Sequence, residues 1–127
     1  MGRSLDVVNE FYEITNNRQG TGLGEILTTD MRFTGPLMVT QGADEYIAFV
    51  GQLLAAHAET TMLRQFEDGD QVCSIYDLSL MSPAGERVAM RIADWITVRG
   101  GQVAAQEILY DPREFARAFG FAQSNAA

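Results

Sequence analysis

Three acidic residues lie on otherwise apolar stretches in the second half of the chain, Asp77, Asp94 and Glu107. Buried carboxyl groups are uncommon in proteins, so an acid on an apolar strand has either a cationic partner or a chemical role. Asp94 alternates with Ile92 and Ile96, and we expect all three side chains to face the same side of a sheet. If that side is a cavity, Asp94 is an acid in an apolar setting. The alternative is an ion pair with an arginine, either Arg91 or Arg64.

Two further residues are candidates for proton transfer. Asp77 alternates with Ile75 and Cys73, and a structural pair with Arg91 on a neighbouring strand is favoured over a role in a pocket. His57 is the only histidine, and its ordinary pKa of about 6.5 would let it take up a proton near neutral pH. The alternative for His57 is a residue that caps a helix or is hydrogen-bonded within the core.

Tyr12 lies on the apolar side of an amphipathic helix predicted for residues 4–17, with Ser4 as its N-cap. Its position at the edge of that side would bury the ring while the hydroxyl still seeks a partner. Most such tyrosines are simply core residues. Tyr12 is singled out because the family resemblance given below pairs it with Asp94.

The elements that must position these residues follow from the hydrophobic pattern. Residues 71–111 predict three long antiparallel strands joined by turns at residues 82–85 and 99–101. Before them, the pattern indicates helices at 23–27 and 43–58 and strands at 31–34, 37–40 and from 61. After them, Asp111 caps a short helix that ends at Gly120. Helices followed by strands indicate an α+β domain, in which helices cover one face of a curved sheet and leave room for a ligand between the layers.

Composition excludes several classes of function. A net charge of −8 argues against binding nucleic acid or an anionic membrane. One cysteine and one histidine are too few for the usual zinc sites, although a carboxylate-only Mg²⁺ or Ca²⁺ site remains open. Cys73 is expected to be a buried, inert thiol. No apolar run reaches the ~20 residues of a membrane span, so a single cytoplasmic domain over residues 1–127 is the default, with a disordered tail at 122–127.

The order of these elements, with the closing stretch G-Q-V…Y-D-P-R-E-F, resembles the SnoaL-like branch of the nuclear-transport-factor-2-like superfamily over residues 4–121. That resemblance implies a cone-shaped, mixed but mostly antiparallel sheet with helices on its concave face, as in cystatin-like folds. It also implies an apolar cavity at the open end and a homodimer formed through the outer face of the sheet. Relatives include ketosteroid isomerases, limonene-epoxide hydrolases, polyketide cyclases and non-catalytic modules.

Residue-level likeness to the epoxide hydrolases is partial. Asp77, in Y-D-L-S-L-M-S-P-A-G, matches the acidic member of their Arg-x-Asp pair. Ile75 stands at the arginine position and Ile108 at the second catalytic acid. An Asp–Arg–Asp triad needs both acids and the arginine, so this chemistry is the weakest alternative.

Likeness to the ketosteroid isomerases is stronger. Asp94 in A-D-W-I-T-V and Tyr12 in E-F-Y-E-I-T match the neutral acid and the phenol of their oxyanion hole. Gly35 stands where that family has its proton-shuttling Asp, so His57 or Asp77 would have to act as the base.

The resemblance thus implies a cofactor-independent enzyme, without a metal, that moves a proton next to the carbonyl of an apolar cyclic or polyketide-like molecule. The alternative is a non-catalytic ligand-binding or dimerisation module. The cavity would be lined by apolar and aromatic residues, namely Phe33, Met38, Phe49, Val50, Leu53, Ile75, Ile92, Ile96, Ile108 and Tyr110.

Overall fold

The computed structural model describes residues 3–121. In chain order its elements are helix α1 (Arg3–Asn17), helix α2 (Leu23–Ile26), strand β1 (Leu27–Thr34), strand β2 (Val39–Gln41), helix α3 (Ala43–Ala55), strands β3 (His57–Asp68), β4 (Gln71–Met81), β5 (Arg87–Arg99) and β6 (Gln102–Leu109), and helix α4 (Arg113–Phe119). The tail expected to be disordered lies outside the described residues.

The six strands form one curved, open sheet in the order β2-β1-β6-β5-β4-β3. Neighbouring strands are antiparallel except β1 and β6, which are parallel. The mixed, mostly antiparallel α+β fold expected from the sequence is therefore confirmed.

Two tight turns set the register of the long strands. The β4–β5 connection closes with a hydrogen bond from the Ser82 N–H to the Glu86 carbonyl, and Gly85 adopts a left-handed φ of 86°. The β5–β6 connection uses Gly100 and Gly101 at φ 60° and 79°, the double left-handed turn that suits a two-residue hairpin. A register shift follows at Thr97 and Val98, where β5 and β6 are out of step by one residue.

The helices lie on one face of the sheet, and the hydrophobic core lies between them. Helix α1 buries Val8, Phe11, Tyr12 and Ile14 against the long strands, which confirms its predicted apolar side. By contrast, Tyr46 is the only fully buried residue of α3. The large apolar side chains of α3 other than Tyr46 are only half-buried, because a cavity lies between this helix and the sheet.

Three predicted boundaries were wrong. Helix α3 ends at Ala55 instead of residue 58, because His57 already pairs with Leu80 in the sheet. The Met81 N–H also bonds to the Ala56 carbonyl, which draws this stretch into the extended conformation. Strand β1 begins at Leu27, and β3 begins at His57 rather than near residue 61.

Cys73 is only partly buried, which differs from the expected fully buried thiol. It pairs with Phe66 and Trp95 on the outer face of the sheet, away from the helices. Burial raises the pKa of the thiol, so Cys73 stays protonated at neutral pH. Within the described residues, no helix is long and apolar enough to cross a membrane.

Packing predicts how two methionines differ in their contribution to stability. Met31 is 0 % exposed in the core, whereas Met62 on β3 is 38 % exposed. Met31→Ala should lower the free energy of unfolding by about 2–5 kcal/mol because it leaves a cavity in packed surroundings. Met62→Ala is the matched control and should cost less than about 1 kcal/mol. Urea unfolding followed by circular dichroism measures both, and equal losses would contradict this description of the core.

Candidate active site

A cavity of about 120 Å³ lies between the inner face of the sheet and helices α1 and α3. Aromatic rings form much of its wall, each with its centroid 5.5 to 6.5 Å from that of the next. In spatial order these rings are Tyr76, Tyr12, Phe11, Tyr46, Phe33 and Phe49. Aliphatic side chains from α3, β4 and β5 complete the wall. The space is smaller than the roughly 300–1,000 Å³ of pockets for drug-sized ligands.

Asp94 reaches this cavity from the middle of β5 and is 0 % exposed. Its Oδ2 accepts hydrogen bonds from the hydroxyls of Tyr12 at 3.0 Å and Tyr76 at 2.8 Å. The Nε2 of Gln106 donates to both carboxylate oxygens at 3.0 Å. All three partners are neutral donors, and no arginine of residues 3–121 forms a salt bridge with Asp94.

Gln106 is oriented by a further tyrosine. The Tyr46 hydroxyl donates to Gln106 Oε1 at 2.8 Å, so the amide nitrogen of Gln106 faces Asp94. We call Asp94, Tyr12, Tyr76, Gln106 and Tyr46 the carboxylate cluster. Its members come from β5, α1, β4, β6 and α3. The cluster therefore forms only when the whole fold has assembled.

Strand alternation explains how Asp94 comes to face inward. Ile92, Asp94 and Ile96 are all buried along β5, as the sequence predicted. Register then pairs Asp94 with Ser74 and Ile92 with Tyr76, so Tyr76 lies on the same face as Asp94. Tyr12 arrives from the buried side of α1, and the predicted proximity of Tyr12 and Asp94 is present.

Burial raises the pKa of Asp94 to about 6, from an ordinary value of 3.8, and the three hydrogen bonds limit the rise. Asp94 is therefore mostly ionised at pH 7. The pKa values of Tyr12, Tyr46 and Tyr76 are raised, first by burial and then by the nearby Asp94 charge. These hydroxyls stay protonated and act as donors.

His57 lies at the rim of the cavity, at the start of β3. Its Nε2 is 2.7 Å from Thr60 Oγ1, and Thr60 Oγ1 donates to Asn16 Oδ1 at 3.3 Å. Partial burial lowers the pKa of His57 below its usual 6.5, so the imidazole is neutral at pH 7.

Asp77 is not part of this site. It lies on the outer face of the sheet, exposed, and Arg91 holds it with hydrogen bonds at 2.8 and 3.0 Å. The arginine lowers the pKa of that carboxyl below its usual value. The structural pairing favoured from the sequence is present, and Asp77 does not reach the cavity.

Eight of the ten residues expected around a substrate line the main cavity or a smaller one of about 50 Å³ beside it. The eight are Phe33, Met38, Phe49, Val50, Leu53, Ile92, Ile108 and Tyr110. Ile75 and Ile96 lie elsewhere, because Ile75 is on the outer face beside Ala93 and Ile96 is packed in the core with no exposed surface.

Gly35 marks a clear departure from the ketosteroid isomerases. A Cβ atom at this position would lie 3.1 Å from the Phe33 ring and 3.3 Å from Ile108. A side chain at this position would therefore press against the Phe33 ring, which would have to move by a few tenths of an ångström. A proton-transferring group, if the site has one, must be another residue.

Sequence reasoning missed Tyr76, Tyr46 and Gln106. The alternation of Tyr76 with Ser74 and Leu78 could have placed it on the inner face of the sheet. The sequence analysis considered only Asp77, its neighbour, which lies on the opposite face. Gln106 carried no signal of its own in the sequence. Among residues 3–121, no group of three or more His, Cys, Asp or Glu side chains is arranged to hold a metal ion.

Comparison with known proteins agrees with this architecture. The family model described as SnoaL-like domain matches residues 8–106. The chain belongs to the SnoaL-like family. A comparison with curated proteins found no match.

Three solved structures illustrate the shared fold. An NTF2-like protein of unknown function from Burkholderia pseudomallei has a TM-score of 0.81 and 22 % identity, over 94 % of this chain and 98 % of that one. A putative SnoaL-like polyketide cyclase from Jannaschia sp. has a TM-score of 0.78 and 17 % identity, over 95 % and 94 %. A hypothetical protein of ketosteroid isomerase-like fold from Catenulispora acidiphila, in complex with trimethylamine, has a TM-score of 0.73 and 14 % identity, over 91 % and 93 %.

The raised pKa of Asp94 makes stability depend on pH. The folded protein binds the Asp94 proton more tightly than the unfolded chain does, so this contribution to stability is fully present below about pH 4. It is lost as pH rises through about 6, and the difference amounts to about 3 kcal/mol. The free energy of unfolding of wild type minus that of Asp94→Asn should fall by about 3 kcal/mol between pH 3 and pH 7 in urea titrations.

Asp77→Asn is the control for this measurement. The pKa of Asp77 is lowered by Arg91, so its smaller contribution should be lost as pH falls, which is the opposite sign. A wild-type minus Asp94→Asn difference that stays constant with pH would contradict the buried, anionic Asp94 described above.

Proposed function

We propose that this SnoaL-like protein is a small-molecule enzyme that transfers a proton next to a carbonyl group, as in isomerisation or aldol-type cyclisation of an apolar cyclic or polyketide-like compound. The observation that carries the proposal is Asp94, a buried carboxylate that lines an aromatic cavity and has a pKa of about 6. A base with a pKa close to the working pH is well suited to proton abstraction. The chemistry requires neither a metal nor an organic cofactor.

The hydrogen bonds favour Asp94 as the base rather than as a neutral oxyanion donor. Tyr12, Tyr76 and Gln106 all donate to it, and donors stabilise the charged form of a carboxyl group. An acid that is mostly ionised at pH 7 is available to accept a proton. The role of base thus belongs to Asp94 instead of His57 or Asp77.

The tyrosines would then act later in the same reaction. When Asp94 takes the proton from carbon, its negative charge disappears and its charge-assisted hydrogen bonds weaken. A tyrosine hydroxyl released in this way can donate to the enolate oxygen that forms at the same moment. Removal of one such donor in other enzymes costs on the order of 3–4 kcal/mol of transition-state stabilisation.

Both outcomes balance without an external reagent. In isomerisation, Asp94 returns the proton to a different carbon and the double bond moves. In cyclisation, the enolate carbon attacks a second carbonyl carbon, a carbon–carbon bond forms, and the new alkoxide takes the proton from Asp94. Each cycle leaves Asp94 ionised again.

The size of the cavity limits the ligand. In another protein, an engineered apolar cavity of about 150 Å³ holds benzene, so the 120 Å³ found here suits a single ring. A larger ligand would have to displace the Phe33 or Phe49 rings towards the smaller cavity. The modest volume also supports a second candidate, a non-catalytic module that binds a small ligand.

Epoxide hydrolysis has little support from the contacts. Asp77 is exposed and paired with Arg91, and Ile75 lies on the outer face with it. Relatives of the fold whose names include a polyketide cyclase and a ketosteroid isomerase-like protein agree with proton-transfer chemistry at the level of the family.

A pH profile tests the role of Asp94. With cyclohex-3-en-1-one as substrate, conversion to the conjugated enone is followed by ultraviolet absorbance. If Asp94 is the base, kcat/KM should rise about tenfold per pH unit up to about pH 6 and then level off. Asp94→Asn should lose about 10²–10⁴-fold because it removes the base.

Asp77→Asn should keep wild-type activity, because its carboxyl lies outside the cavity. A rate that falls above pH 6 would instead assign Asp94 the role of neutral donor. Binding without any turnover or solvent deuterium exchange would select the non-catalytic module.

We also propose that the protein forms a homodimer through the outer face of the sheet. Phe66, Trp95 and Leu109 are 54, 48 and 52 % exposed there, and partly buried Cys73 and Ile75 lie between them. Charges of both signs flank this apolar strip, including Asp77 and Arg91. Such a surface is self-complementary under the two-fold symmetry that most dimers adopt.

Replacing the central tryptophan tests the dimer. Trp95→Arg should convert dimer to monomer in sedimentation velocity, because two copies of the added charge would face each other in a desolvated interface. Met81→Arg is the matched control, since Met81 is 41 % exposed at the far end of β4. A wild-type protein that sediments as a monomer would contradict the proposal.

A further inference from the structure

The rim of the cavity carries a second group of polar side chains that the proposed reaction does not use. Asn16, Thr60 and His57 all line the cavity. Two hydrogen bonds connect these side chains. The first joins His57 Nε2 and Thr60 Oγ1 at 2.7 Å, and the second joins Thr60 Oγ1 and Asn16 Oδ1 at 3.3 Å. We call these three residues the rim cluster.

The direction of the hydrogen bonds follows from counting protons. Asn16 Oδ1 can only accept, so the single hydroxyl proton of Thr60 goes to it. Thr60 Oγ1 must then accept from His57, whose proton sits on Nε2. In neutral His57 the other ring nitrogen, Nδ1, is consequently an acceptor.

Two hydrogen-bonding groups of the rim cluster are left over. Neither His57 Nδ1 nor the Asn16 amide nitrogen bonds to another side chain within residues 3–121. One is an acceptor and the other a donor. The rim can therefore bind a hydroxyl group in either sense, or a carbonyl oxygen.

Helix α1 fixes the spacing between the two polar ends of the cavity. Tyr12, which contacts Asp94, and Asn16 are four residues apart on the same face of α1. Residues with this spacing lie about one turn apart, roughly 6 Å along the axis. Along β4 the two ends are also four residues apart, because Ser74 pairs with Asp94 and Leu78 pairs with Thr60, which corresponds to roughly 13 Å of strand. This separation leaves room between the two ends for a six-membered ring and one hydrogen bond on each side of it. The wall between the ends is aromatic and apolar.

We propose that the rim cluster is a second binding subsite, and that the cavity takes single six-membered rings with hydrogen-bonding groups at opposite corners. The inference rests on the proposed function for the use of this cavity, but it concerns binding and not proton transfer. One end of the ligand points to Asp94 and the other to Asn16 and His57.

Each end selects a different chemical group. Asp94 Oδ1 accepts only from Gln106 in the described part of the chain, so it has capacity for one more donor. That donor is a phenolic or enolic hydroxyl. The rim takes a hydroxyl or a carbonyl group. Phenols and cyclic enols with a second oxygen across the ring fit both ends.

Competition between matched phenols tests the subsite. Benzene-1,4-diol and 4-methylphenol have nearly the same shape, and only the first can hydrogen-bond at both ends. By NMR titration we expect the diol to bind wild type about three- to tenfold more tightly, the contribution of one net hydrogen bond. Benzene-1,3-diol should lose this advantage because its second hydroxyl misses the rim.

Variants of the rim should remove the preference and leave 4-methylphenol affinity unchanged. Thr60→Val keeps the shape of the side chain, and Asn16→Leu provides a second variant if the first fails to fold. Thr61→Val is the control, because Thr61 is exposed and pairs with Asp77 on the outer face. A diol preference that persists in both rim variants overturns the proposal, as does absence of phenol binding at millimolar concentrations.

Failure of the subsite can be told apart from failure of the proposed function. The diol preference is measured at equilibrium and needs no turnover. If Asp94→Asn turns over cyclohexenone like wild type but the diol preference depends on Thr60 and Asn16, the subsite stands and the base assignment falls.

Discussion

The structure depends on how one buried anion is stabilised without a cation. The chain contains no lysine, and within residues 3–121 no arginine forms a salt bridge with Asp94. Two phenols and an amide provide the stabilisation instead. A full ion pair would have held the pKa of Asp94 low and made it a poor base. Neutral donors offset enough of the desolvation cost to keep the group ionised at pH 7, yet leave its pKa near neutrality.

This arrangement constrains the register of three strands at once. Asp94 and Gln106 both face the cavity only because a register shift at Thr97 and Val98 displaces β5 against β6 by one residue. Without it, the two-residue turn at Gly100 and Gly101 would place Glu107 opposite Asp94. Glu107 would then bring a second negative charge to the inner face. With the register shift, the inner face next to Asp94 carries the amide of Gln106 instead of the carboxylate of Glu107.

The same detail shows what the sequence could and could not predict. Helical periodicity and strand alternation were sufficient for the α+β class and for placing Asp94 on the same side of its strand as Ile92 and Ile96. The closeness of Asp94 to Tyr12 was implied by the resemblance to the ketosteroid isomerases. The position of Tyr76 could have been predicted from the sequence. If Ser82 and Glu86 close a three-residue turn between β4 and β5, Tyr76 pairs with Ile92 and faces the same side as Asp94. The position of Gln106 could not have been predicted, because it depends on the register shift between β5 and β6. Such an irregularity depends on strand twist and packing and has no recognisable residue pattern here. The end of α3 was missed for a related reason, namely sheet pairing at His57.

In the proposed function, the number of donors around Asp94 determines whether this residue acts as a base or as a neutral donor. A buried carboxyl with few donors stays protonated at pH 7 and can itself donate to an enolate, which is the role that likeness to ketosteroid isomerases implied. Each additional donor favours the ionised form and moves the pKa down. Tyr76 and Gln106 join Tyr12 here, and the pKa settles near 6. Gly35, which stands where that family has its base, has no side chain that could accept a proton. The missing acid at Gly35 and the three donors around Asp94 are complementary features, because both agree with the proposal that Asp94 accepts the proton.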